Sequence, residues 1–250
     1  MPVWLQAGSW GLLAGGALVA GALVAWFVRV PRMVVATVMA FGAGVLISAL
    51  AFDLMAEAEA SGGLTATLVG FLGGALAYVA ANVGLARRGA RHRKRSEDQQ
   101  PSEGEAPGSG TAIAVGALLD GVPESVVLGL TLLTGQGIGI PVLAAIFISN
   151  LPEGLSSAAG MKRAGRGAGY IFGVWCGIAV LSGVAGALGV LLLQGASPAL
   201  VAVITAIAAG AILAMLADTM IPEAFERTHL YTGLVATVGF ALSFALERTG

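Results

Sequence analysis

The sequence predicts an all-α polytopic membrane protein, and three observations predict it. The chain is 57% hydrophobic and only 11% charged, with a mean hydropathy of +0.88. Its 38 glycines are spread through the apolar runs and not gathered in loops, a pattern of packed membrane helices and not of a soluble domain. Its basic residues fall in alternate connections between those runs. The net charge of -1 says nothing about partners, because in such a chain only the placement of charge matters. The one cysteine, Cys176, excludes a disulfide framework or a thiolate metal site within one chain, and its apolar surroundings suggest a buried packing residue.

In chain order, the apolar runs divide into roughly eight transmembrane spans, each near the ~20 residues that a bilayer core requires. They cover about 7–28, 33–56, 63–86, 111–134, 138–161, 168–194, 199–221 and 230–247. The first is too long and too weakly charged at its head for a cleaved signal peptide, so a retained helix is expected. Residues 87–110 form the only sustained polar segment, basic at first and then acidic with Pro and Gly, which predicts a disordered cytoplasmic loop. Arg29 and Arg32, the six basic residues of 87–95, then Lys162, Arg163 and Arg166, and finally Arg227 all fall in odd-numbered connections. Twelve of the 13 basic residues thus lie on one side, with only Arg248 dissenting. The positive-inside rule makes that side cytoplasmic and puts both termini outside.

The centre of the chain carries the chemistry. Leu119-Asp120-Gly121-Val122-Pro123-Glu124-Ser125 interrupts the fourth span and Ser149-Asn150-Leu151-Pro152-Glu153-Gly154 the fifth. A proline within a helix removes a donor and clashes with the carbonyl four residues back, so Pro123 and Pro152 should break their helices and free the carbonyls of Leu119 and Ile148. Asp120 and Glu124 are four apart, as are Ser149 and Glu153, and Asn150 and Glu153 are three apart. That spacing puts them on one face of each helix and predicts an oxygen-rich site near the midplane. Each intramembrane acid costs at least ~2.5 kcal/mol, so three of them in adjacent spans point to function. Asp53, Glu57, Asp218 and Glu223 lie nearer span ends, the first pair expected on the outer side of a cation path and the second on the cytoplasmic side.

A faint internal repeat underlies this. Gly44-Val-Leu-Ile-Ser-Ala-Leu50 through Glu57-Ala58 aligns without a gap on Gly210-Ala-Ile-Leu-Ala-Met-Leu216 through Glu223-Ala224. The two spans run in opposite directions, so the repeat is inverted and the arrangement is 3+2+3, with the Pro-containing spans at its centre. Gly-x-x-x-Gly spacings, among them Gly11–Gly15 and Gly70–Gly74, predict close helix contacts.

These features resemble the ZIP (Zrt-, Irt-like protein) family of divalent metal transporters. The likeness rests on the Pro-Glu motifs in consecutive spans, a third at Ile221-Pro222-Glu223-Ala224, the eight spans and the long loop after the third. The family pattern His-Asn-x-Pro-Glu-Gly stands here as Asp120-Gly121-Val122-Pro123-Glu124-Ser125. The family's fifth-span motif, His or Gln and then Glu or Asp before x-Pro-Glu-Gly, stands as Ser149-Asn150-Leu151-Pro152-Glu153-Gly154. The resemblance implies a bacterial-type member with a divergent, histidine-free site, one metal position formed by Asp120, Glu124, Asn150, Glu153 and Ser149, and a homodimer in the cell (inner or plasma) membrane. Gly121 and Asn150 replace the groups that help bind a second metal in many relatives.

An all-oxygen ligand set admits Zn²⁺, Mn²⁺ or Fe²⁺ as cargo without strong preference, because it lacks the imidazole that softer ions favour. No prosthetic cofactor, nucleic-acid partner or enzymatic activity is expected, for both histidines, His92 and His229, fall outside the spans and no hydrolase constellation is present. A transporter of protons or a small organic cation on the same scaffold is the alternative, followed by a non-transporting membrane protein.

Overall fold

The computed structural model describes residues 1–94, 100–133 and 140–249, and every regular element among them is helical. The helices are α1 (Val3–Phe27), α2 (Arg32–Ala49), α3 (Ala56–Leu85), α4 (Ser109–Leu133), α5 (Ile140–Arg163), α6 (Ala168–Leu193), α7 (Pro198–Met215), α8 (Ile221–Thr228) and α9 (Tyr231–Thr249). Six helical stretches are long and apolar enough to cross a membrane. One of them, Arg32–Ala90, runs for 59 residues. At ~1.5 Å per residue it is far longer than a ~30 Å hydrocarbon core. Helical geometry lapses within it at Gly63 (φ 77°, ψ 162°), a conformation open to glycine because it carries no Cβ.

Of the three π-helical turns among the described residues, Ala86–Ala90 follows α3 and the other two interrupt the bundle, Leu50–Met55 between α2 and α3 and Leu216–Met220 between α7 and α8. These two begin at Leu50 and Leu216, which face each other in the alignment above, and each carries an acid, Asp53 and Asp218. Such turns relieve the strict i→i−4 ladder and are frequent at functional positions.

Small residues set the packing. α2 crosses α9 where Gly44 meets the carbonyl of Ala236 and Gly239 meets that of Phe41. α3 crosses α7 in the same reciprocal manner, Gly74 against the Ile207 carbonyl and Gly210 against that of Phe71. α1 packs on α5 and α6, with Gly11 against Ser182 and Gly15 against Ala179, while α4 packs on α6 and α7. Backbones that approach this closely replace the hydrophobic drive that lipid cannot supply. Gly210→Leu is therefore expected to destabilise the protein by at least ~1–3 kcal/mol, since the added side chain meets backbone atoms. Gly73→Leu, which faces open space, should be neutral, and the melting temperatures in detergent compare the two.

Three expectations change. Pro123 and Pro152 lie inside α4 and α5 without ending either helix, so the freed carbonyls do not open the chain into a break. The segment expected to be a disordered loop lies against the bundle where it is described, with polar groups that find partners there. Arg166 on the α5–α6 connection pairs with Glu103 (3.1 Å) and bonds Pro101 and Ser109, while the backbone amides of Gly108 and Gly110 bond the Glu103 carboxylate. The two amides and then the guanidinium hold the Glu103 carboxyl below the usual carboxylate range. Cys176 is exposed on α6 and not buried, since its neighbour Trp175 takes the inward position. Arg95 and the connection 134–138 lie outside the described residues.

Candidate functional site

Asp120, Glu124 and Glu153 are all buried, with relative exposures of 2%, 2% and 3%. Burial of three carboxylates demands compensating charge, and the chain supplies it from the polar segment after α3. Arg93 and Lys94 are themselves buried, at 2% and 3% exposure, and reach in between α3, α4 and α5.

The Arg93 guanidinium grips Asp120 with both edges of its fork, Nε to Oδ2 at 3.0 Å and Nη2 to Oδ1 at 2.9 Å. Nη2 also donates to the Tyr78 hydroxyl (2.8 Å), and Nη1 donates to Asn82 Oδ1 (2.7 Å) and to the Ala90 carbonyl (3.4 Å). Tyr78 completes a ring by donating to Asp120 Oδ1 at 2.6 Å. Every N–H of the guanidinium is thus used, which is the condition under which a buried ion pair is tolerated. Gly116, one turn before Asp120, supplies the space that the stem of Arg93 fills. A Cβ there would meet Arg93 Cδ.

Lys94 bridges the two central helices. Its ammonium lies 2.8 Å from Glu153 Oε2 on α5 and 3.3 Å from Asp120 Oδ2 on α4. Both contacts are ionic in character, because Lys94 Nζ makes no well-aligned hydrogen bond among the described residues. Glu124 lies close enough to Glu153, Lys94 and Asp120 to interact with their charges, yet its Oε1 is buried with no hydrogen-bond partner among the described residues. Three carboxylates therefore face two cations. Among the described residues no group of three or more His, Cys, Asp or Glu side chains stands ready to hold a metal ion, and Lys94 stands between Asp120 and Glu153.

The inserted segment is tied down on both sides. Ser156 Oγ on α5 lies 2.5 Å from the Lys94 carbonyl and 3.1 Å from Glu223 Oε1. A hydroxyl has one proton, so these two acceptors compete for it. Gln100 Nε2 bridges the carbonyls of Arg93 (2.9 Å) and Ser157 (3.1 Å). Asn82, which accepts from Arg93, donates to Asp218 Oδ2 at 3.3 Å. A chain of polar contacts thus runs from Asp218 through Asn82 and Arg93 to Asp120.

The expected site residues are only partly brought together. Asp120 and Glu153 share Lys94, and Glu124 is adjacent. Asn150 turns away to donate to the Ala14 carbonyl of α1 (3.0 Å), and Ser149 donates to the Ile146 carbonyl of its own helix (2.9 Å) while its backbone packs on Gly42 of α2. Both are thus satisfied away from the acids, because α1 and α2 cover that side of α5. Of the path residues, Asp218 and Glu223 reach the network about Arg93 and Lys94. Asp53 and Glu57 are half-buried in the first π-helical turn and the first turn of α3.

Tyr78, Asn82, Arg93, Lys94 and Ser156 were not singled out from the sequence. Tyr78 and Asn82, four apart in the otherwise apolar second half of α3, carry a signal that could have marked a polar face there. Arg93 and Lys94 carry none, since a basic run beside an acidic one reads as solvated. Neither a scan against models of known protein families nor a search of curated proteins finds a match for this chain.

Proposed function

We propose that this chain carries a divalent metal cation of the Zn, Mn or Fe type across a membrane, with Asp120, Glu124 and Glu153 as the oxygen ligands of its transit site. The observation that carries the reading is the buried cluster of three carboxylates on α4 and α5, balanced in part by two monovalent cations of the chain's own that pair with Asp120 and Glu153. A group of acids that retains two positive charges in low dielectric retains them whether they come as Arg⁺ and Lys⁺ or as one M²⁺. Exchange of both side chains for one divalent ion leaves the charge of the cluster unchanged, whereas a monovalent ion would leave a buried deficit. Withdrawal of Arg93 and Lys94 lets the acids close on the cargo, and their return from the basic side helps expel it.

Further support comes from the pairing of helices. Exchanging α1 with α6, α2 with α7, α3 with α9 and α4 with α5 carries α2–α9 packing into α7–α3 packing, and α1–α5 into α6–α4. This fits eight spans in a 3+2+3 inverted repeat with outside termini, of the plan by which two halves move around a fixed site. On this reading the protein is a divergent ZIP-type transporter of the cell membrane, not an enzyme, and a homodimer. Asp53 and Glu57 collect cations outside, and Asp218 and Glu223 receive them inside.

The test is uptake of Zn²⁺ or Mn²⁺ into vesicles. Glu124→Gln and Glu153→Gln are each expected to lower it at least about tenfold, by the loss of a charged ligand, and unchanged uptake in both would overturn the proposal. Asp120→His is expected to raise the preference for Zn²⁺ over Mn²⁺ in competition binding, because imidazole suits the softer ion. One observation favours a second reading, transport of a small organic cation: the fork on Asp120 is at present filled by a guanidinium. Guanidinium uptake that excess Zn²⁺ does not inhibit would select it.

A further inference from the structure

The link between α1 and α2 forms a second feature, unconnected with the acids. Val28 (φ -119°, ψ 137°) and Pro31 (φ -58°, ψ 135°) run extended, and a cavity of about 400 Å³ lies between this link and the end of α5. Four of the side chains that line it are cationic, Arg29, Arg32, Lys162 and Arg163, and none is acidic. The rest of the lining is apolar, with Val35 and Leu155 among it. Topology explains why such residues lie on the basic side. It does not explain their convergence on one cavity. Helix electrostatics explains only half of it: Lys162 and Arg163 in the last turn of α5 suit the helix dipole, but Arg32 in the first turn of α2 opposes it.

Lys162 is held in place. It donates to the Trp26 carbonyl at 2.7 Å and stands 4.9 Å over the Trp26 ring. Tryptophan favours the headgroup level of a bilayer, so this pair fixes the cavity at the depth where lipid phosphates lie. Arg29, Lys162 and Arg163 bring like charges around a space of this size that an anion within it stabilises, and the apolar wall suits the glycerol and first methylenes of a lipid.

We propose that this cavity binds a phosphate-bearing anion, presented by an anionic phospholipid. A zwitterionic head group would bring its ammonium against Arg29, Lys162 and Arg163, so the site selects net negative charge. The inference does not depend on the nature of the cargo.

The probe is a nanodisc of equal parts phosphatidylethanolamine and phosphatidylglycerol, and native mass spectrometry reads the lipid retained after release into detergent. Wild type should keep phosphatidylglycerol, and Arg29→Gln with Arg163→Gln should reduce its retention on the order of tenfold or more. Both residues are exposed, so the fold is expected to survive, and each single variant should show a smaller loss of the same kind. Arg87→Gln with Arg91→Gln removes equal charge from residues that do not line the cavity and should change nothing. Failure of millimolar inorganic phosphate to displace the lipid assigns the phosphate to the bilayer, whereas displacement assigns the site to soluble phosphates. Equal retention in wild type and the Arg29/Arg163 variant, or phosphatidylethanolamine held as well as phosphatidylglycerol, would overturn the proposal.

Discussion

Replacing Arg93 and Lys94 together by alanine is expected to lower stability by about 3–5 kcal/mol in cation-free buffer, the cost of stripping a buried ion pair of one partner. The same variant should regain most of that loss in the presence of a divalent cation. Without the two side chains, Asp120, Glu124 and Glu153 keep their burial and lose both compensating charges. A free M²⁺ at one hundred times its dissociation constant supplies about 2.7 kcal/mol by linkage, and at one thousand times about 4.1. Wild type should respond far less, because its own cations already hold the site and the ion must displace them. Thermal melts in chelator and in a Zn²⁺ or Mn²⁺ series measure both effects. A variant that melts like wild type in chelator, or one that ignores the cation, would count against an exchange of side chains for cargo.

Asp120→Asn is expected to have the second largest effect. It leaves the Arg93 guanidinium buried against a neutral amide that cannot accept at both edges of the fork, and a loss of about 3–5 kcal/mol follows. Cation uptake should fall as well. The two losses have different remedies. Adding Arg93→Met removes the stranded charge and fills the space with apolar atoms, and replacing a buried pair in this way is often neutral for stability. The Asp120→Asn, Arg93→Met protein is therefore expected to recover its melting temperature without recovering uptake, since a ligand oxygen with its charge is still missing. Recovery of both would reduce Asp120 to a structural anchor for the polar segment.

The contrast between these residues marks how much the sequence conveyed. Apolar length alone determines the helices, because a backbone in hydrocarbon must satisfy its own hydrogen bonds and no other local structure does so. The small-residue spacings Gly11–Gly15 and Gly70–Gly74 likewise determine contacts, since only a missing side chain lets backbones approach to that degree. The burial of Asp120, Glu124 and Glu153 follows from their depth in two consecutive apolar helices.

What the tertiary structure decided was direction and company. Spacing of three or four residues places Asn150 and Ser149 on the same broad side of α5 as Glu153, but an α-helical face spans about 100° and neighbours choose within it. α1 claims Asn150 through the Ala14 carbonyl, and the close approach of Gly42 on α2 leaves Ser149 bonded to its own helix. Proline chemistry told of lost bonds at Pro123 and Pro152 but not of the packing of α4 on α1, α6 and α7, and of α5 on α1 and α2, that keeps both helices whole. Arg93 and Lys94 lie in a segment whose local composition favours water, and only the unpaired acids of α4 and α5 make burial the better state for them. That preference depends on charges 26 or more residues away in sequence, brought within 2.8–3.3 Å by the fold. Local pattern carries no trace of such a pairing, because ion pairs of this kind have no period.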